Sequence, residues 1–124
     1  MEQTTAFLLT DDSNRARVLA DALSPHGVQL IEAPLSGGGV LLVGGQDGAW
    51  LAFGDEVERL PVVAFRNRVA DSPLRELPGL ALVSKRQMRD QPSWVNLFDK
   101  VAMMDGDAEA LALRIHWCRG KKAG

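Results

Sequence analysis

Short apolar runs, each followed by a stretch of helical period, constrain this chain most. Residues 6–9, 40–43 and 80–83 are unbroken apolar quartets, and 28–31 carries one glutamine. Runs of this length, bounded by Gly, Pro or Asp, read as strands. Between them, 13–23 places Val18, Leu19, Ala22 and Leu23 on one stripe, with Asp12 or Ser13 as its cap and Pro25-His26-Gly27 as its stop. Strands alternating with helices predict an α/β fold: a five-stranded parallel sheet, doubly wound, with helices on both faces. Strands covered on both sides explain why the runs are continuous and not alternating.

The remaining elements are expected as follows. The strand at 40–43 is third, enclosed by Gly37-Gly38-Gly39 and Gly44-Gly45, and Trp50, Leu51, Phe53, Val57 and Leu60 read as a helix interrupted near Gly54. Pro61 opens a fourth strand, 61–65, because proline is tolerated at a strand's first residue. Ser72-Pro73 starts a short helix that Pro78-Gly79 stops, and 80–83 is the fifth strand. Residues 94–104 read as a helix with Trp94, Val95, Phe98, Val101 and Ala102 on its apolar face. Gly106 breaks it, and 108–119 is an extra C-terminal helix, giving a domain at 1–104 and an added segment at 105–124. A competing register makes 100–104 the fifth strand, with the helix after it as the fifth helix.

Parallel strands bring their C-termini to one edge, where open α/β sheets place ligand sites. In this reading Asp11, Asp12, Gly44, Arg66 and Lys85 face one crevice. A net charge of −2 gives no basic footprint for nucleic acid, and no apolar run is long enough to span a bilayer. One cysteine, Cys118, excludes an internal disulfide and a cysteine-based zinc cluster, so a reducing cytoplasm is the expected compartment. No nucleophile–base pair stands out, and the chain does not read as an enzyme.

The segments FLLTDDSNRARVLADAL, LPVVAF and LVSK, in that order, resemble the receiver domain of bacterial response regulators over roughly residues 5 to 104. The resemblance implies a flavodoxin-like fold in which an acidic pair, here Asp11 and Asp12, holds Mg²⁺ beside a phosphoacceptor aspartate at the end of strand three. A hydroxyl after strand four and a lysine after strand five, here Lys85, would contact the phosphate. The acceptor is missing: Gly44 or Gly45 stands in its place, and Arg66 replaces the hydroxyl. Arg66 is expected to pair with the acidic residues in place of a metal. Without a third ligand the pair binds Mg²⁺ weakly at most, and no cofactor is expected. In the competing register Met104 stands at the lysine position. The pattern is similar to atypical receivers, in particular the N-terminal domains of sigma-54-dependent flagellar master regulators.

The resemblance implies a signalling module in transcription regulation that acts without phosphorylation, by dimerisation or by docking on a protein or a covalently linked output domain. Leu111, Ile115, Trp117 and Cys118 on the last helix are its expected docking residues, with packing on its own domain as the alternative. Asp11 and Asp12 read equally well as the negative start of a helix. A second functional reading uses Arg66, Arg68 and Lys85 as donors to a nucleotide or small anion in the crevice.

Overall fold

Strands β1 (Thr4–Leu9), β2 (Val28–Ala33), β3 (Gly48–Phe53), β4 (Gly79–Val83) and β5 (Lys100–Met103) form one sheet in the order β2-β1-β3-β4-β5. Every neighbouring pair is parallel. Among the described residues five helices accompany them: α1 (Ser13–Leu23), α2 (Gly54–Val57), α3 (Val62–Ala70), α4 (Lys85–Asp90) and α5 (Ala108–Cys118). Three 3₁₀ turns lie at Ser24–His26, Pro73–Glu76 and Ser93–Leu97. This computed structural model describes residues 4–35, 48–71, 73–104 and 106–118. The strand order is that of flavodoxin-like doubly wound sheets, so the expected fold class holds. Among the described residues no helix is long and apolar enough to cross a membrane.

The pleat of β1 sorts its side chains between two cores. Ala6 and Leu8 join Leu23 of α1 and Leu111, Ala112 and Ile115 of α5 on one face. Phe7 and Leu9 join Trp50, Phe65, Leu74, Trp94 and Phe98 on the other. The second core is aromatic: the Trp50 and Phe98 centroids are 4.9 Å apart, and Phe65 stacks on Phe98 at 5.5 Å. Trp50 anchors it by donating its indole N–H to the Leu77 carbonyl at 3.1 Å. Gly79 permits this arrangement, since a Cβ there would run into the Trp50 ring.

Helix α1 and the first two strands fall where expected, with β1 and β2 each extended by two residues, and the run at 80–83 is a strand. Three segments differ. Residues 48–53, expected in a helix, are the central strand, buried at all six positions between β1 and β4. A continuous apolar run has no period to separate the two states, so sheet burial decides. The expected fourth strand at 61–65 is instead the start of α3. Only Phe65 is buried there, while Val62 and Val63 are 39% and 55% exposed, a one-sided pattern no central strand shows. Pro61 caps this helix, and the β-branched pair had favoured strand. The expected helix at 94–104 is a 3₁₀ turn followed by β5, which is paired to β4 through Leu80↔Lys100 and Val83↔Met103. The competing register is therefore the one observed, and 80–83 is the fourth strand. Asp99 fixes the change of direction: its carboxylate accepts from the Gly79 N–H at 2.8 Å, and its own N–H donates to the Gly79 carbonyl.

The strand expected at 40–43, the glycine turns around it and Gly44 lie outside the described residues.

Candidate functional site: the strand-end crevice

The C-terminal ends of the strands meet at one edge, as the parallel sheet requires. Thr10 to Asp12 follow β1, Gly54 to Glu56 follow β3, Ser84 follows β4 and Met104 follows β5. The hub of this edge is Arg15, in the first turn of α1. Its Nη1 donates to both oxygens of Asp55 at 3.0 Å, and its Nη2 lies 2.8 Å from the Met104 sulfur. Its guanidinium carbon sits 3.7 Å from the centroid of the Phe53 ring. One cation thus ties α1 to the ends of β3 and β5 and covers the last residue of the central strand.

The side chain is aimed by its own helix. Asp12 is the N-cap of α1 and accepts from the Arg15 backbone N–H at 3.1 Å. Asp11 turns the other way, and its Oδ1 accepts from the Leu35 N–H at 3.0 Å after β2. The two adjacent carboxylates therefore serve separate backbone donors at two strand ends. Glu56 closes the edge between them: Thr10 donates its hydroxyl to Oε1 at 2.5 Å, and the Asp11 N–H reaches Oε2 at 3.3 Å. Thr10 is 1% exposed, so this hydroxyl–carboxylate bond is largely screened from water. Among the described residues no three His, Cys, Asp or Glu side chains are grouped so as to hold a metal ion.

Gly54 is buried at the end of β3, and the space beside it is full. A Cβ there would lie 2.6 Å from Gln87 Oε1 and 2.8 Å from Trp94 Cη2. Gln87 is held in place by a capping box: the Ser84 N–H donates to Gln87 Oε1 at 3.0 Å, and the Gln87 N–H donates to Ser84 Oγ at 3.2 Å. Beside it Arg86 binds Glu58 at 2.8 Å and Asp90 at 3.4 Å. The Glu58 hydrogen bond and charge push its guanidinium above the usual arginine range, which keeps it cationic at any ordinary pH.

The expected crevice set is only partly assembled. Asp11 and Asp12 stand at the strand-end edge. Lys85 is there too, exposed at the first residue of α4. Arg66 is not where it was expected. It is exposed on α3 and lines a separate cleft with Trp50, Val69 and Leu97, so the role of internal counter-ion falls to Arg15. Arg68 donates to the Pro34 carbonyl at 3.0 Å. The expected docking residues divide as well. Leu111 and Ile115 are 9% and 0% exposed within the chain's own core, whereas Trp117 is 68% exposed. The side chain of Cys118 lies outside the described residues. Sequence reasoning missed Arg15, Phe53, Asp55 and Glu56. The signal for Phe53, Asp55 and Glu56 was Gly-Asp-Glu directly after an apolar run, which marks a strand end turning into an acidic first helical turn; Arg15 carried none.

No protein-family model matches the chain, and no curated protein matches it.

Removing the Arg15 side chain in Arg15→Ala is expected to lower stability by about 1–2 kcal/mol. That figure combines a partly exposed ion pair made through one guanidinium nitrogen with one cation–π contact. Urea unfolding at low and high salt checks it, because the ionic share should shrink with added salt.

Proposed function

We propose that this chain is a regulatory interaction module of the receiver type, whose strand-end crevice is occupied by its own arginine and is not charged by phosphate. The observation that carries this reading is the Arg15 clasp: the guanidinium lies over Phe53 and between Asp55 and Met104, at the strand-end edge where a receiver would place metal and phosphoryl group. In the receiver pattern the acceptor position at the end of strand three falls on Phe53 or Gly54, and neither carries a nucleophile. The hydroxyl position after strand four falls on Ser84, whose oxygen is engaged in capping α4. The lysine position after strand five falls on Met104.

Such a module signals through contacts, as a homodimer or by docking on a protein or a linked output domain, and it has no catalytic residue. Flagellar or other sigma-54-dependent transcription control is the setting that the sequence resemblance favours. The anion-sensing reading has less support, because Arg66 and Arg68 share α3 but serve different places, Arg66 lining its own cleft and Arg68 binding the Pro34 carbonyl, while Lys85 stands on α4.

Incubation with acetyl phosphate and Mg²⁺, followed by intact mass spectrometry, tests the proposal. No phosphoryl adduct is expected. An adduct that maps to Asp11, Asp12 or Asp55 and disappears on substitution of that residue would overturn it.

A further inference from the structure

We propose that the cleft between α4 and β5 is a binding site for a small uncharged molecule, anchored through a carbonyl-type acceptor on the side-chain amide of Gln87. The cleft has a volume of about 370 Å³, within the range of sites that hold small organic ligands. Val83, Val95 and Val101 supply apolar wall, and Gln87, Gln91 and Asn96 supply amides. None of the described residues lining it is ionisable. A phosphate, a carboxylate or a metal ion would find no opposite charge there, so the ligand chemistry is neutral.

The amide of Gln87 supplies the direction. The side chain is 1% exposed, and its Oε1 accepts from the Ser84 N–H, which fixes which end of the amide is the NH₂. That Nε2 has no hydrogen-bond partner among the described residues. Buried donors in native structures are nearly always paired, so a wall residue carrying an unpaired N–H calls for an acceptor from outside the chain.

The site stands apart from the Arg15 clasp but touches it through one residue. Gln87 lines the cleft and also abuts Gly54 at the end of β3. A ligand that engages Nε2 would hold the same amide that caps α4 and fills the space beside Gly54.

N-butyl-2-pyrrolidinone is a suitable probe, since it joins a neutral carbonyl to a short alkyl tail. Titrated into the isotope-labelled full chain, it is expected to give saturable NMR shifts at the Val83, Val95 and Val101 methyls and the Gln87 side-chain amide, with a dissociation constant of about 1 mM. Hexanoate, of similar size but charged, is expected to give none. Val95→Phe fills the cleft and should weaken binding at least about tenfold. Asn96→Trp blocks the cleft from an exposed position and should do the same if Val95→Phe fails to fold. Absence of saturable shifts to about 10 mM, equal binding of hexanoate, or binding unchanged in a folded blocking variant would each overturn the proposal.

Discussion

Gly54→Asp is expected to lower the unfolding free energy by about 3 kcal/mol or more and to leave the chain inert to acetyl phosphate. On the proposed receiver reading, a carboxylate at the end of the third strand is the obvious way to supply a phosphoacceptor, and the packing refuses it. The Cβ alone would sit 2.6 Å from Gln87 Oε1 and 2.8 Å from Trp94 Cη2, both far inside van der Waals contact. Gln87 cannot swing aside freely, because its Oε1 is held by the Ser84 N–H. Trp94 is 4% exposed and packs on Phe98. Beyond the clash, the new carboxylate would enter a buried position next to Asp55 and Glu56, while Arg15 is already engaged by Asp55. Gly54→Ala separates the two effects. It keeps the steric conflict, adds no charge and is expected to lose only about 1–3 kcal/mol. Urea unfolding of both variants, compared at constant m-value, gives the difference. A Gly54→Asp protein as stable as the parent and phosphorylated at residue 54 would overturn the proposed reading of the crevice as closed to phosphate.

The Gly54 environment also shows why the crevice was only half legible in the sequence. Parallel strands do deliver their C-termini to one edge, and Asp11, Asp12 and Lys85 stand there, although Lys85 follows the fourth strand and not the fifth. The rule needs the right strands, however, and two of the five were misassigned. Gly48–Phe53 is apolar without period, so the sequence offers no means of choosing helix or strand. Once it is a strand, Gly54, Asp55 and Glu56 become edge residues and Arg66 ceases to be one. Val62-Val63 illustrates the opposite failure. Two β-branched residues after a proline favour strand, yet the sheet already has its central members and the segment lies on the surface as a helix. What remained invisible was Arg15. An arginine three residues past a capping aspartate is ordinary on a helix surface. Only the fold brings Phe53, Asp55 and Met104, from as far as 89 positions away, around its guanidinium.

Seen from the carboxylates, the same cluster explains why two adjacent aspartates are tolerated after β1. Each has its own backbone donor, the Leu35 N–H for Asp11 and the Arg15 N–H for Asp12. A charge pair that elsewhere would demand a cation is here spread over two strand ends, with Arg15 and its partner Asp55 adjoining it. The described contacts at this edge are the chain's own hydrogen bonds.

The last helix separates folding from docking most sharply. Ile115→Ala is expected to lower stability by about 2–5 kcal/mol, because the side chain is fully buried among Leu8, Leu23 and Leu111, and truncation leaves a cavity. Trp117→Ala is expected to change stability by less than about 0.5 kcal/mol, since that ring is 68% exposed. If the chain pairs with a second copy through this helix, sedimentation equilibrium should show Trp117→Ala weakening the pair while its unfolding curve stays in place. Leu113, one turn earlier and 46% exposed, should behave like Trp117. His116 lies on the inner side, its Nδ1 2.7 Å from Thr4 Oγ1 and its Nε2 3.0 Å from the His26 carbonyl, so it fastens the helix to the start of β1. The N–H on Nε2 donates to that carbonyl, which leaves Nδ1 to accept from the Thr4 hydroxyl. A helix held on one side by Ile115 and His116 and bare on the other at Leu113 and Trp117 has one face on its own sheet and one exposed apolar face. An Ile115→Ala protein that unfolds like the parent would mean α5 does not belong to the core, and the division of the helix into two faces would fail with it.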